Sequence, residues 1–468
     1  NIPIPLFLLP RVTPKYLAVS QNRLRSGLFP LQTSYFHNAL KILLTSKIQR
    51  IIMSEFKNEF DINLDVDMET NPVVVAGGGP VGLVAALALA RQGVEVIVLE
   101  SEKAIPRDLR AGTFHPPTVE MLDALGVGGS LLEKGIKVPE WQLRDRSSGV
   151  VAQFDLGLIS DETPHPFRLH CEQHKLSQIV HDALTELPNA RVLFSHRCTG
   201  FTQDGEGVSI SVETPSGPEE IRASYLVGAD GAHSIVRKTM NAEFEGFTWP
   251  ERFLVFATPY DLREQGFTGN AYVADPDEWC AIFVQPHEGP PGIWRIAFPT
   301  QPGMSEDEIL SEQFLQSRIK GFLDPDQDYE IAYRSVYRVH QRVASTFREQ
   351  RVLLAGDAAH ANNPLGGMGL NSGIHDAVNL AEKLAAVLSG EEPQDCLDRY
   401  VRQRRQTNIE YVQATTIRNK RLLEERDPDI RQERLDEMRK TAADKDKARA
   451  YLLNSSMIAS VQRARQIQ

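Results

Sequence analysis

Cysteine is scarce in this chain. Only four occur in 468 residues (Cys171, Cys198, Cys280 and Cys396), far apart and never as a Cys-x-x-Cys pair. That excludes a disulfide scaffold and a cysteine zinc site, and it suits a reducing, cytoplasmic setting. Positive charge is also short: 62 Asp and Glu outweigh 51 Lys and Arg, for a net −11, which argues against nucleic acid as a partner. The histidines are scattered, with no two at ligand spacing on a convincing helix. His165 and His170 read as loop or core residues, and no metal is expected. There are no internal repeats and no low-complexity tracts. One apolar run, residues 73–90, goes eighteen positions without a charge, the length of a membrane span. Its interior is Gly-Gly-Gly-Pro, however, so it divides into a β-branched strand, a tight turn and a Leu/Ala helix, and no membrane contact is expected.

What is present is an ordinary globular composition, 41% hydrophobic and 24% charged, with length enough for two or three domains. Residues 1–54 carry seven Lys and Arg and no acid. That is the composition of a mitochondrial transit peptide, but Met53 opens an unremarkable start, and upstream sequence read in frame is the better account. Residues 1–70 are therefore set aside as a leader, disordered or not native. From Pro72 the pattern runs strand, helix, strand over 95–100, then a short helix over 118–125 with Gly126 as a left-handed cap. A helix follows over 174–187, with Leu176, Ile179, Val180, Ala183 and Leu184 on one face. Strands alternate over 191–227 around the turns Asp204-Gly205 and Ser216-Gly217. The region 247–344 is β-rich, with one helix starting at Ser305 through a capping box with Glu308. A second strand-turn-helix unit spans 352–388, and the tail beyond Asp395 is helical and charged.

The first turn reads Gly77-Gly78-Gly79-Pro80-Val81-Gly82, a Gly-x-Gly-x-x-Gly between strand and helix. Gly77 permits the sharp turn, Gly79 lets backbone approach a pyrophosphate, and Gly82 lets the helix press on the strand. The helix start, at Pro80 and Val81, offers unpaired N–H groups and a partial positive charge. The next strand ends at Glu100, where a carboxylate can accept two hydrogen bonds from a ribose diol. This much leaves FAD and NAD(P) both open.

Two further stretches bear on that choice. Leu226-Val227-Gly228-Ala229-Asp230-Gly231 is an apolar strand entering a polar turn, with Arg237 soon after. Leu353-Leu354-Ala355-Gly356-Asp357-Ala358-Ala359-His360 puts a carboxylate, Asp357, at the end of a buried strand, fit to hold a polyol hydroxyl. The glycine-rich loop Pro364-Leu365-Gly366-Gly367-Met368-Gly369-Leu370-Asn371 then delivers a helix start. Its positive end can stabilise negative charge on a reduced isoalloxazine; a nicotinamide has no such anionic ring.

In this order and spacing, the three stretches resemble the single-component FAD-dependent aromatic hydroxylases, the para-hydroxybenzoate hydroxylase-like flavoprotein monooxygenases. The resemblance covers about residues 72–390. It implies that Gly77, Gly79, Pro80, Val81, Gly82 and Glu100 hold the ADP half of FAD. It places Asp230 near the pyrophosphate, Asp357 on the ribityl chain, and Pro364, Gly367, Gly369, Leu370 and Asn371 beside the flavin ring. Arg110, in Leu109-Arg110-Ala111-Gly112, and Gln173, in Cys171-Glu172-Gln173, match the family's arginine and glutamine near FAD.

The fold that follows is α/β. A discontinuous Rossmann-like FAD-binding domain (71–246 and 345–395) holds a β-sheet substrate domain (247–344), and a helical segment (396–468) ends the chain. The reaction implied is hydroxylation of a small phenolic or otherwise electron-rich aromatic substrate by dioxygen, with NAD(P)H as co-substrate. The cofactor does the hard chemistry while the protein orients it and excludes water, so no catalytic acid, base or metal need be evident. Tyr272, Trp279, Phe283, Trp294 and Arg295 are the aromatic and charged candidates for the substrate pocket, Trp279 and Arg295 foremost. Over Ile293–Phe298, alternation puts Trp294, Ile296 and Phe298 on one face and Arg295 on the other. Arg295 can meet an acidic substrate group, although a solvated arginine is the default. Other flavoenzymes of the same fold (halogenase, reductase, epoxidase) and a non-catalytic flavin binder are the alternatives. No tryptophan sits in a Trp-x-Trp-x-Ile-Pro stretch, and no second glycine triplet is present. The charged tail leaves a homodimer open.

Overall fold

A computed structural model describes residues 71–107, 112–289 and 292–468. The leader assigned to 1–70 and the arginine at 110 lie outside the described residues. Thr70–Gln468 is one compact unit.

The run that imitates a membrane span divides as its residues dictate. Val73–Ala76 is a fully buried strand, and Pro80–Arg91 is a helix whose alanines and leucines are buried almost throughout. Among the described residues no helix is long and apolar enough to cross a membrane. The strand lies in a six-stranded sheet with Val96–Glu100 and Ala190–Phe194 on one side and Tyr225–Gly228 and Val352–Leu354 on the other, all parallel. Arg348–Glu349 adds a short antiparallel edge. The central strands are β-branched and apolar on both faces because helices cover both. The helix Met368–Ser389 packs closely on Pro80–Arg91, so the last part of the FAD-type pattern closes on the first.

Local expectations mostly survive. The 191–227 region contains an antiparallel meander of Arg197–Gln203, Val208–Thr214 and Gly217–Ala223. The second helix is Pro116–Ala124, started by proline, and Gly126 follows it at φ +66°. The helix expected from Ser305 has its capping box but stops at Ile309. Ser311 then caps a separate helix, Glu312–Lys320, by accepting from the Phe314 N–H. A second good cap six residues on competes with continuation of the first helix.

The largest sheet has eight strands. Five come from Phe244–Thr258, Asn270–Ala274, Cys280–Gln285, Ile293–Pro299 and Tyr333–Ala344. Two more, Glu140–Asp145 and Gly149–Asp155, join through parallel pairing of Gln142 with Ala271, and the short His360–Ala361 is the eighth, at the opposite edge. The local pattern leaves 140–155 outside the β-rich region, because a pairing over such separation has no local signature. One face of the sheet buries Trp294, Ile296 and Phe298 against the helices of 306–320. The opposite face, with Phe253, Tyr272, Trp279 and Ala297, packs on Leu365 and on Leu423, Leu435 and Leu452 of the C-terminal segment. The tail is thus an integral cover of this sheet. Lys420, buried, reaches Glu251 at 2.6 Å, and Gln341 donates to Gln413 at 2.6 Å.

Candidate functional site

Parallel register brings the three motifs together. Ala76 pairs with Leu99 and with Gly228, and Gly228 pairs with Leu354. The turns after these residues therefore leave one edge of the sheet side by side, at the carboxyl ends where α/β folds bind ligands.

The glycines of the first turn divide by role. A Cβ on Gly82 would lie 2.0 Å from the Gly77 carbonyl oxygen, so this glycine is required by the protein's own packing. A Cβ on Gly79 would meet nothing within 4 Å, and its φ of −70° suits any residue. Gly79 faces open space beside a helix start, the cradle a pyrophosphate needs. Pro80 opens the helix. The Val81 side chain points inward, about 3.0 Å from where a Cβ on Gly356 would sit, so only its N–H can serve a ligand. Glu100 sits over the turn, its Oε2 accepting from the Gly78 N–H at 2.7 Å and its Oε1 from the Glu102 N–H at 2.8 Å. Gly78, which sequence reasoning passed over, is needed because a Cβ there would come 2.9 Å from the Glu100 Cβ.

Asp230 braces the second turn. Its Oδ2 accepts from the Ile235 and Val236 N–H groups at 2.7 and 3.1 Å, while Oδ1 is buried without a partner. Arg237, the third residue of the short helix Ile235–Thr239, donates to the carbonyls of Ala232 and Ala358, both at 2.8 Å, and stacks on Phe244. It ties the Asp-Gly turn to the Gly-Asp turn. Asp357 is exposed at the mouth of that turn. Beneath it lies Asp376, fully buried, which accepts from the Gly356 N–H at 3.0 Å, contacts the His360 ring at 2.7 Å and pairs with Arg404 at 2.7 Å. Burial pushes the Asp376 carboxyl up, but His360 and Arg404 together outweigh it and hold it below the usual range. Removing the carboxylate leaves the Arg404 guanidinium buried and unpaired. Asp376→Ala is therefore expected to lose about 3–5 kcal/mol of stability, measured by denaturant unfolding.

The glycine loop is held by residues with no sequence signal. The Tyr272 hydroxyl accepts from the Gly366 N–H at 2.5 Å, and the His115 Nε2 donates to the Gly366 carbonyl at 2.8 Å. Gly366 and Gly367 have φ of +114° and +64°, which favours glycine at both. Asn371 is fully buried and its side chain is committed: Oδ1 accepts from the His115 N–H, and Nδ2 donates to the carbonyls of Thr113 and Gly367. It shapes the loop, and the backbone N–H groups of Gly369 and Leu370 lie in the first turn of the helix, where an α-helix offers them no intrahelical partner. Pro364 is half-buried in the same loop.

Gln173 is half-buried at the first position of the helix Gln173–Thr185. A cleft of about 1030 Å³ begins at its neighbours His174 and Lys175 and is rimmed by Arg107, Lys134 and Arg263. Three buried histidines lie nearby in the fold. Burial first, then the Arg168 charge, pushes His115 down to about 3; burial likewise pushes His375 to about 3 and His170 to about 4. Trp279 is buried against Phe253, edge to face at 5.1 Å, in the apolar cluster under the C-terminal helices. Arg295, whose default reading was solvated, is only 7% exposed. It lies opposite Phe283 and Ala257, on the sheet face shared with Tyr272, because alternation sends Trp294 and Ile296 to the other core.

Residues 70–415 match the family model described as "FAD binding domain". The chain belongs to the para-hydroxybenzoate hydroxylase-like flavoprotein monooxygenases. It is 37% identical over 365 residues to para-nitrophenol 4-monooxygenase of Pseudomonas sp. (strain WBC-3), covering 77% of this chain and 89% of that one. It is 33% identical over 357 residues to 6-hydroxy-3-succinoylpyridine 3-monooxygenase HspB of Pseudomonas putida (strain DSM 28022 / S16), covering 76% and 90%. Its fold matches the crystal structure of p-nitrophenol 4-monooxygenase PnpA from Pseudomonas putida DLL-E4 with a TM-score of 0.79 at 33% identity, covering 84% of this chain and 98% of that one. This flavoprotein monooxygenase binds FAD and uses NAD(P)H, and its site fits that cofactor. The open face of Gly79, the unpartnered Oδ1 of Asp230 and the exposed Asp357 line one edge of one sheet.

Proposed function

We propose that the monooxygenase hydroxylates a small phenolic ring with dioxygen and NAD(P)H, and that the residues converging at the sheet edge hold its FAD. The observation that carries the residue assignment is the alignment of Ala76, Gly228 and Leu354, which puts all three turns at one edge. Bound there, FAD supplies hydride acceptance from NAD(P)H and activation of dioxygen.

The chain's own residues do the rest. Gly79 gives backbone access to the pyrophosphate, with the Val81 and Gly82 N–H groups at the helix start. Glu100 accepts from the ribose. Asp357 and Gln173 serve the ribityl region, and Arg110 is proposed beside them. Asp230 and Asn371 act by fixing the turns. The N–H groups of Gly369 and Leu370 stabilise developing negative charge on the ring. Tyr272 and His115 hold the Gly366 peptide from both sides, so the loop keeps its form while the eight-stranded sheet and its C-terminal cover exclude water. The basic rim of the cleft at His174 is a suitable approach for NAD(P)H, because the described residues build no second dinucleotide fold.

The test is stimulated NAD(P)H oxidation over a panel of substituted phenols and aromatic acids, with product mass measured. One compound is expected to accelerate oxidation and gain about sixteen mass units, one oxygen atom. A yellow protein whose NAD(P)H oxidation responds to none of them would favour the non-catalytic reading.

A further inference from the structure

Arg168 has an anomaly that the cofactor site does not explain. It begins the strand Arg168–His170, the middle of a three-stranded sheet with Thr113–Phe114 and Ile136–Val138. It is 3% exposed, its Nε is buried with no partner, and no carboxylate pairs with its guanidinium among the described residues. An isolated buried cation costs several kcal/mol, so buried arginines are normally paired. Burial pushes Arg168 down from its ordinary range, and the groups acting on it are two tyrosines, Tyr272 and Tyr451. Its histidine neighbours His115 and His170 are held neutral at ordinary pH and supply no counter-charge.

Its surroundings are those of the glycine loop. His115 and Tyr272 are the two side chains that hold the Gly366 peptide. Tyr272 meets Trp141 edge to face at 5.8 Å, and Trp141 in turn meets Tyr451 at 5.6 Å. Tyr451 stacks on Phe154 at 4.6 Å and comes from the C-terminal helix Lys445–Ser455. An unpaired guanidinium, two tyrosines and an aromatic wall next to the expected flavin loop form a recognition set for an aromatic anion. The phosphates of the cofactor belong to the glycine turn on the other sheet, so they are not the missing partner.

We infer that Arg168 is the counter-ion for an anionic oxygen group of the aromatic substrate, and that the C-terminal helix adds Tyr451 to the same subsite. This rests on the hydroxylase reading and deepens it: the substrate binds as an anion, through either the phenolate itself or a ring carboxylate. Arg168 is a specificity residue here, with no step of oxygen transfer assigned to it. The charged tail thereby completes the substrate wall.

The experiment titrates the FAD holoenzyme and follows the flavin absorbance change. The probes are benzoate (ring anion only), pentafluorophenol ionised at the assay pH (phenolate only) and the neutral benzamide. In the wild-type protein at least one anionic probe is expected to bind about tenfold or more tighter than benzamide. Arg168→Met is expected to weaken that probe about thirtyfold or more, to change benzamide less than about threefold, and to keep FAD; Arg168→Lys recovers part of the loss. Tyr451→Phe weakens the same probe about fivefold. Whichever anion suffers identifies the oxygen group. Equal weakening of all probes, or loss of FAD from Arg168→Met, overturns the assignment and makes the arginine a structural or cofactor residue. If that variant does not fold, equal wild-type affinity for benzoate, pentafluorophenolate and benzamide overturns it as well. An unchanged Tyr451→Phe removes the tail from the subsite. Wild-type protein that meets every aromatic without a spectral change and without stimulated NAD(P)H oxidation brings down the hydroxylase reading itself.

Discussion

Gly79→Leu is expected to give a folded, colourless protein. The argument turns on which glycines the protein needs for itself. A side chain on Gly82 would strike the Gly77 carbonyl, so bulk there breaks the strand-helix contact and says nothing specific about a ligand. A Cβ on Gly79 finds no protein atom within 4 Å, and φ −70° is open to leucine. The only thing leucine can displace is what occupies the space beside the helix start. FAD affinity is expected to fall by at least about three orders of magnitude, about 4 kcal/mol, with thermal unfolding of the apo form unchanged. Flavin fluorescence released on denaturation and far-ultraviolet circular dichroism check the two halves. A folded variant that retains FAD at wild-type stoichiometry would mean the pyrophosphate lies elsewhere. Asp357→Ala is the companion test of the ribityl contact proposed for that carboxylate, with a weaker loss of FAD affinity expected.

Acidification is expected to destabilise the protein well above the usual range of carboxylate titration. His115, His170 and His375 are buried and held neutral down to about 3, 4 and 3. An unfolded histidine protonates near 6.5. Between those values the unfolded chain binds protons that the native chain does not, so stability falls as pH drops below about 6.5, and the histidine loss levels off only near 4 for His170 and near 3 for His115 and His375. Each histidine contributes about 1.4 kcal/mol of loss by pH 5.5. Three together approach the whole stability of many domains. Asp376 adds a separate loss at lower pH, because its depressed carboxyl contributes stability only above the unfolded carboxylate value and loses it as pH falls further. Urea unfolding at pH 7.5, 6.5 and 5.5 measures the slope. His375→Gln, which keeps a partner for the Thr118 hydroxyl now 2.9 Å from the ring, is expected to flatten it by about a third. A pH-independent midpoint over that range would show that these rings are charged or solvated in the native state.

The cofactor motifs were readable because each is local. A β-branched strand, a turn that only glycine makes and a helix start occupy a dozen consecutive residues, and backbone sterics alone nearly dictate them. The alternation of Ile293–Pro299 likewise separated Trp294 and Ile296 from Arg295. The same reasoning defaulted Arg295 to solvent, because alternation states that two faces differ and not that either is wet. It passed over His115, Arg168 and Asp376, and it offered Tyr272 for the substrate pocket without seeing its hold on the glycine loop. His115, Tyr272 and Asp376 act through partners far along the chain: Gly366 for His115 and Tyr272, Gly356 and Arg404 for Asp376. Asn371 shows the converse. Its place in the motif was visible, but only the hydrogen bonds to Thr113, His115 and Gly367 reveal that its side chain is spent on the loop.

The amino-acid order by itself determined the strand-turn-helix units, the dinucleotide-type cradle and the family, since these follow from backbone conformation within short windows. Tertiary structure alone decided that strands 140–155 enter the large sheet, that a charged tail becomes its apolar cover, and that an arginine on a three-residue strand is buried with no counter-ion among the described residues. Those are long-range facts. They depend on which surfaces find one another when the chain collapses, and the burial of Arg168 has no meaning until Tyr272 and Tyr451, from opposite ends of the fold, arrive beside it.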